Sequence, residues 1–147
     1  IEEAQLSVDL LVKFHPSTNR NKYAGKMKSN MQIVDEDIYT LFNRAGCVIG
    51  KSTGALIEAT SLGIPVINIE TGTGMSHSYL PKFGKGTIWE NASNGADILK
   101  WTKIFRELNM TQSKLIQSIA EKHKEMFFCE PTEQRIEEAF DLTNPNC

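Results

Sequence analysis

Residues 46–69 read GCVIGKSTGALIEATSLGIPVINI. The short apolar run at residues 47–50 is typical of a buried parallel strand. Residues 53–62 have the composition and spacing of a helix, and Ser52 is its predicted N-cap because a serine hydroxyl can accept a hydrogen bond from a free N–H group in the first turn. A strand is therefore predicted to pass through a tight turn directly into a helix.

The end of the same stretch predicts a second strand. Gly63 follows the helix and is typical of a helix C-terminus, where a left-handed backbone is common. Pro65 then opens an apolar strand over residues 66–69, because a missing N–H is tolerated at the first position of a strand. The whole stretch thus predicts a strand, a turn, a helix and a parallel strand.

The turn before the helix is predicted to hold an anion. Backbone N–H groups of Ser52, Thr53 and Gly54 would face one spot beyond the carboxyl end of the first strand, together with the positive end of the helix dipole. Open α/β sheets bind phosphate groups at this edge. Glu58 lies one helical turn further on, where its carboxylate would reach hydroxyl groups of a sugar or ribose attached to that phosphate.

The rest of the chain alternates strands with helices and ends in helices. The polar, glycine-rich residues 70–86 predict a mobile surface loop. The expectation is an α/β fold, a Rossmann-like parallel sheet flanked by helices with a helical C-terminal tail, in one domain over residues 1–147. Further strands are predicted at residues 8–15, 31–34 and 87–89, and further helices from residue 35 or 36 to residue 45 and over residues 96–108, 111–128 and 132–140.

Composition excludes several classes of function. A net charge of −2 and a pI near 5.9 give no electrostatic footprint for nucleic acid. No apolar run reaches the roughly 18 residues that a membrane-spanning helix needs. The three cysteines show neither a CxxC pattern nor a Cys/His metal spacing, so we expect reduced thiols in a cytoplasmic protein without a metal site.

The remaining histidines and aromatic residues receive structural predictions. His77 lies in the polar loop and His123 in a helix rich in lysine and glutamate, so both are predicted to be ordinary surface groups. Five aromatic residues occupy positions that a helix or strand would bury, and we expect them in the core: Trp89, Trp101, Phe105, Phe127 and Phe128.

Several motifs carry a resemblance to a known family. Over about residues 8–105, the chain resembles the C-terminal half of GT-B-type glycosyltransferases and is similar to the related UDP-N-acetylglucosamine 2-epimerases. Thr53 stands where the epimerases usually carry glycine. The matching motifs are Lys13-Phe-His15-Pro16, Asp37 with Leu41 and Ala45, Ser52-Thr-Gly54, Glu58-Ala59 and Leu62-Gly-Ile-Pro65.

The resemblance implies a nucleotide-sugar-binding domain. Preorganised N–H donors at a helix start can stabilise a departing diphosphate without a metal, so we expect no metal and no cofactor. The turn would hold the diphosphate, Glu58 would bind the ribose hydroxyls, and Lys51, a departure from the family pattern, would neutralise phosphate charge. A glycine-rich segment after the second strand would close over the ligand. The binding residues implied in this way are His15, Lys51, Ser52, Thr53, Gly54, Glu58, Gly72 and Gly74.

The same resemblance implies partners and a location. The ligand would be a nucleotide-diphosphate sugar, used in the biosynthesis of surface polysaccharide or glycoconjugates. A missing N-terminal domain of the same protein would supply the general base and the acceptor site, so this chain alone is expected to be inactive. The expected compartment is the cytoplasm, and for the full-length protein the inner face of the membrane is the alternative. No nucleic-acid partner is expected.

Two other readings stay open. One is a sugar-nucleotide 2-epimerase or hydrolase domain, although those enzymes carry more acidic and histidine residues than are visible here. The other is a non-catalytic α/β module that serves protein contacts. Absence of nucleotide affinity at the Ser-Thr-Gly turn would favour this reading. Independently, the two-domain resemblance implies that the last helix crosses back to the N-terminal domain, so in this chain alone it would expose an apolar stripe of Ile136, Ala139 and Phe140, which could promote self-association.

Overall fold

The computed structural model describes residues 8–70, 72, 79–111 and 113–140. These residues form an α/β, Rossmann-like fold with two small parallel sheets and five α-helices, which confirms the predicted fold class. The chain divides into two compact units, Ile1–Arg44 and Ala45–Cys147, and each is described by itself. A single domain over residues 1–147 stays a prediction.

The first unit contains a two-stranded parallel sheet. Strand β1 (Leu10–Val12) pairs with β2 (Met31–Ile33). Two 3₁₀-helices, Arg20–Lys22 and Ala24–Lys26, lie in the connection between them. Both strands are shorter than predicted, and residues 13–15, expected to continue β1, are irregular.

Helix α1 (Ile38–Phe42) follows β2 and is shorter than its apolar pattern suggested. It begins at Ile38 because the Asp37 carboxylate caps it, accepting a hydrogen bond from the Tyr39 N–H at 2.9 Å. It ends at Phe42, and the Asn43 N–H donates back to the Tyr39 carbonyl. The predicted start at residue 35 or 36 and end at residue 45 are therefore wrong.

The second unit contains a three-stranded parallel sheet in the order β3-β4-β5. A right-handed crossover is the usual geometry for such parallel neighbours, and a helix connects β3 to β4. Three further helices follow the sheet. The elements are β3 (Val48–Gly50), α2 (Ala55–Ser61), β4 (Val66–Ile69), β5 (Trp89–Ala92), α3 (Gly95–Thr111), α4 (Ser113–Phe127) and α5 (Glu133–Ala139).

Strand β5 begins two residues later than predicted. The Gly84 carbonyl accepts hydrogen bonds from Thr87 and Ile88, at 3.1 and 2.8 Å, and these bonds hold residues 84–88 in a turn. Gly84 has a positive φ of 85°, which favours glycine. The chain therefore becomes extended only at Trp89.

The sheet of the second unit is covered on both faces. Helix α3 packs on one face, where Ile67, Ala92 and Phe105 form a buried cluster. Helix α2 lies on the other face and packs against α4. A Cβ at Gly50 would come within 2.9 Å of the Leu56 Cδ2 atom, so a larger residue there would require the Leu56 side chain to shift.

Several side chains differ from their predicted environment. Trp89 and Phe105 are buried as predicted, and Trp101 is half-buried. Phe127 and Phe128 are 38% and 45% exposed, because they lie at the end of α4 where no described element covers them. Their predicted place in the core is wrong.

The predicted surface loop, residues 70–86, is exposed at only some of its described residues. Leu80 is buried, which contradicts that prediction at this position. The Trp89 indole N–H fixes the adjoining backbone by donating to the Pro81 carbonyl at 3.0 Å. Residues 71 and 73–78, including His77, lie outside the described residues.

Candidate functional site

The exposed turn after β3, residues 51–54, differs in detail from its predicted form. Gly54, not Ser52, occupies the N-cap position of α2. Ser52 has a φ of 47°, in the left-handed region where a non-glycine residue is strained, and so it lies outside the helical path. The Thr53 hydroxyl oxygen instead accepts a weak hydrogen bond from the Ala55 N–H at 3.4 Å. The predicted Ser52 cap is therefore wrong.

The backbone N–H groups of this turn are open to a ligand. Within the part of the chain that the structure describes, no acceptor pairs with the N–H of Ser52, Thr53 or Gly54. The corresponding turn after β5 is closed, because the Asp97 carboxylate accepts from the Ser93 N–H at 3.0 Å. The bonds from Ser93 hold the pKa of Asp97 below its usual value. Of these two turns, the one after β3 is exposed and has backbone N–H donors without an acceptor among the described residues.

The helix behind the turn contributes little to anion binding. Helix α2 has seven residues, fewer than two full turns, so its dipole is small and the turn N–H groups are the main donors. Glu58 is half-buried on this helix, and among the described residues no hydrogen bond holds its carboxylate in place. Lys51 is exposed at the start of the turn.

A chain of side-chain hydrogen bonds lies at the same end of the sheet, and the sequence reasoning missed it. The Asn68 amide donates to the Asn91 side-chain oxygen at 2.9 Å, and the Asn91 amide donates to the Glu70 carboxylate at 2.7 Å. Asn68 is only 4% exposed. The available signal was the placement of one asparagine in each of two neighbouring strands, where a buried apolar residue is expected.

The strand register places this network next to the turn. Gly50, the last residue of β3, pairs with Asn68, and Asn68 pairs with Asn91. Neighbouring strands lie about 4.8 Å apart. The methyl carbon of Thr53 comes within 3.4 Å of the position that a Gly50 Cβ would occupy, on the face that α2 covers. The turn and the polar network therefore share one edge and one face of the sheet.

The other predicted binding residues have separate positions. His15 belongs to the first unit, where its Nδ1 atom accepts a hydrogen bond from the Ser17 N–H at 3.2 Å and lies 2.7 Å from the Ser17 hydroxyl. Gly72 is exposed, and Gly74 lies outside the described residues. The structure thus brings together Lys51, Ser52, Thr53 and Gly54, with Glu58 on the helix that follows them.

His123 is fully buried, which contradicts its predicted place at the surface. Its Nδ1 atom lies 2.7 Å from the Thr60 hydroxyl, and its Nε2 atom lies 3.3 Å from the Phe83 carbonyl. The Phe83 ring stands edge-on to the imidazole with the ring centres 4.6 Å apart. Burial lowers the pKa of His123, and the hydrogen bond to the Phe83 carbonyl acts in the opposite direction.

The error at His123 has a simple cause. Helix α4 alternates charged residues with a narrow apolar face, and Ile116, Ala120 and His123 recur on that face at helical spacing. The lysines and glutamates around them lie on the solvent side. Local composition therefore suggested an exposed histidine, whereas its position on the helix indicates a buried one.

Neither a metal site nor a membrane span is found in the described residues. No group of three or more histidine, cysteine, aspartate or glutamate side chains is arranged there to hold a metal ion. None of the helices described is long and apolar enough to cross a bilayer.

Comparison with known proteins adds no relative. No family model, no curated protein and no solved structure matches the chain. The resemblance to GT-B-type glycosyltransferases and 2-epimerases therefore stays a prediction based on the motifs.

Proposed function

We propose that this chain is the nucleotide-sugar donor-binding domain of a glycosyltransferase that acts in surface polysaccharide or glycoconjugate biosynthesis. The observation that carries the proposal is the exposed turn at the carboxyl end of β3, where the N–H groups of Ser52, Thr53 and Gly54 have no acceptor among the described residues. It lies in a parallel strand–turn–helix–strand unit, where α/β proteins bind phosphates. The motif resemblance supports the same function.

The proposed chemistry is stabilisation of a diphosphate leaving group. Fixed N–H donors interact more strongly with the charge that develops on the departing diphosphate than with the bound substrate, and this difference lowers the barrier to sugar transfer. The Lys51 ammonium adds positive charge at the start of the turn. A general base for the acceptor hydroxyl would come from another part of the full protein, so we expect this chain alone to bind the donor without transferring the sugar.

The proposal includes a cytoplasmic location. Cys47 and Cys129 carry free thiols in the structure, in keeping with a reducing compartment. For the full-length protein, the inner face of the membrane is the alternative location.

Calorimetric titration of the chain with UDP, GDP, CDP, CMP and their sugar conjugates tests the proposal. We expect one nucleotide to bind selectively. The variant Gly54→Pro removes one turn N–H, and proline fits the Gly54 φ of −58°. It should weaken binding of the selected nucleotide about tenfold, since a hydrogen bond to a charged group is lost.

Gly54→Ala is the matched control because it keeps the N–H group. A Cβ at Gly54 would meet no atom of the described residues within 4 Å, so the alanine variant should fold normally. A comparable loss of affinity in both variants would show that the turn N–H does not bind phosphate. Absence of binding by every nucleotide to the wild-type chain would refute the proposed function itself.

A second candidate, a protein-interaction module, is favoured by helix α5. Ile136 and Phe140 are 42% and 73% exposed, and no residue of α5 is buried. An apolar surface of this kind is typical of a docking site. Sedimentation velocity over a hundredfold range of concentration distinguishes the two candidates: self-association that the variant Phe140→Ser abolishes, together with no nucleotide binding, would favour the module.

A further inference from the structure

The side-chain network Asn68–Asn91–Glu70 has an orientation that its chemistry determines. An ionised carboxylate can only accept hydrogen bonds, so the Asn91 amide nitrogen must face Glu70. The Asn91 side-chain oxygen then faces the other way and accepts from the Asn68 amide nitrogen. Both hydrogen bonds of this network run toward Glu70, so Glu70 is its terminal acceptor.

Glu70 is fixed in both its backbone and its side chain. Its N–H donates to the Ala92 carbonyl at 2.9 Å, which extends the β4–β5 pairing by one residue. Its carboxylate is held by Asn91, while the residue as a whole is exposed. A carboxylate accepts about four hydrogen bonds, so most of its capacity remains for a ligand. Glu58, in contrast, has no such hydrogen bond among the described residues.

Asn68 adds a second acceptor beside this carboxylate. Its amide nitrogen is used by Asn91, and within the described residues its side-chain oxygen has no partner. Asn68 is only 4% exposed, and the polar atoms of buried residues normally have hydrogen-bond partners. A donor group of a ligand would supply the partner that this oxygen lacks.

The edge of the sheet is thus divided into two chemically different halves. The turn after β3 presents N–H donors, and the network on the neighbouring strands β4 and β5 presents oxygen acceptors. Phosphate needs donors and is repelled by the carboxylate, whereas hydroxyl groups can donate to it. A ligand with a phosphate at one end and a pair of hydroxyls at the other satisfies both halves.

We propose that Glu70, positioned by Asn91, binds a vicinal pair of hydroxyl groups of the ligand, on the ribose or on the transferred sugar. This inference rests on the proposed nucleotide-sugar function and assigns to Glu70 a role in hydroxyl recognition that the motif resemblance gives to Glu58. Glu70 is then the residue that distinguishes a hydroxylated ligand from a deoxy ligand.

The test compares ligands that differ only in hydroxyl groups. Calorimetry would use the nucleoside diphosphate that binds most tightly among UDP, GDP and CDP, its 2′,3′-dideoxy form, its sugar conjugate and inorganic diphosphate. The variant Glu70→Gln keeps the size of the side chain and can still accept from Asn91. It should weaken binding of the hydroxylated ligand about tenfold, since the charged acceptor is lost, and it should not weaken binding of inorganic diphosphate, which the carboxylate repels.

The pattern of losses identifies the hydroxyls. If the ribose binds Glu70, the nucleoside diphosphate should lose affinity and its dideoxy form should not. If the transferred sugar binds Glu70, only the sugar conjugate should lose affinity. Glu125→Gln, an exposed carboxylate change on α4, is the matched control and should leave all four ligands unaffected.

Two results would overturn the inference, and they are distinguishable. If the wild-type chain binds a nucleoside diphosphate but Glu70→Gln affects all ligands equally or none, the hydroxyl role is wrong and the proposed function stands. If the wild-type chain binds neither inorganic diphosphate nor any nucleotide, both fail together.

Discussion

At the scale of single residues, His123 has the most consequential environment. The Phe83 carbonyl can only accept, so the Nε2–H donates to it, and in a neutral ring Nδ1 must then accept from Thr60. The Thr60 hydroxyl also lies 3.0 Å from the Ile57 carbonyl and has one proton for the two acceptors. A charged imidazolium would satisfy all these groups, but burial outweighs this advantage and lowers the pKa of His123.

The lowered pKa makes stability depend on pH in one direction. The unfolded chain binds a proton at His123 near pH 6.5, whereas the folded chain binds it only at lower pH. The contribution of the neutral ring is therefore complete above about pH 6.5 and is lost as pH falls toward the folded pKa. We expect the free energy of unfolding, measured by urea denaturation, to fall between about pH 7 and pH 5.

The variant His123→Gln separates this effect from other titrations. It should be less stable at pH 7 yet show a smaller change between pH 7 and pH 5. The aspartates with lowered pKa values, Asp35 beside Arg20 and Asp97 beside Ser93, lose their contribution only near and below about pH 4. An identical pH slope in the variant and the wild type would exclude His123 as the cause.

At the scale of elements, the sequence predicted where helices and strands lie better than where they begin. Periodicity located α3, α4 and α5 within a few residues, because a long apolar stripe is a strong local signal. The start of α2 was missed by two residues, since Ser52 is left-handed and no local pattern indicates a positive φ for serine. The Asn68–Asn91 contact was also beyond local reasoning, because it depends on the pairing of two strands 23 residues apart.

The helices of the tail differ sharply in how much they contribute to stability. Ile116 on α4 is 4% exposed and packs near Gly63, whereas Ile136 on α5 is 42% exposed. The same truncation at the two sites should therefore have unequal effects. We expect Ile116→Ala to lower the free energy of unfolding by about 2–5 kcal/mol and Ile136→Ala to change it by less than about 0.5 kcal/mol.

Urea denaturation of both variants, at one protein concentration and at a tenfold higher one, measures this difference. A large cost for Ile136→Ala, growing with concentration, would mean that α5 is covered in solution by a second copy. That outcome would favour the interaction module over the nucleotide-binding function.

At the scale of the whole molecule, the alternation of strands and helices was enough to predict an α/β class. It was not enough to predict two sheets. Strands β1 and β2 pair with each other, and β3, β4 and β5 form a separate sheet, although all five strands have only three or four residues. Which strands pair depends on contacts between distant segments, and a pattern along one chain does not encode them directly.

The residue before strand β3 carries a thiol whose chemistry follows from the packing of the second unit. Cys47 immediately precedes that strand, and burial raises the pKa of its thiol to about 12. Alkylating reagents attack the thiolate, so a folded molecule should react there very slowly. Cys129 is exposed in the same unit and is an internal reference for reagent access.

Iodoacetamide labelling followed by peptide mass spectrometry would measure the alkylation rates of Cys47 and Cys129. The rate at Cys47 depends on how often the sheet opens beside it. We expect Cys129 to be alkylated at least a hundredfold faster than Cys47 at pH 8, and ligand bound at the adjoining turn to slow Cys47 further. Equal rates at the two cysteines would contradict the packing around β3. The alkylation rate at Cys47 therefore reports the opening of this sheet at a cysteine that the chain already contains.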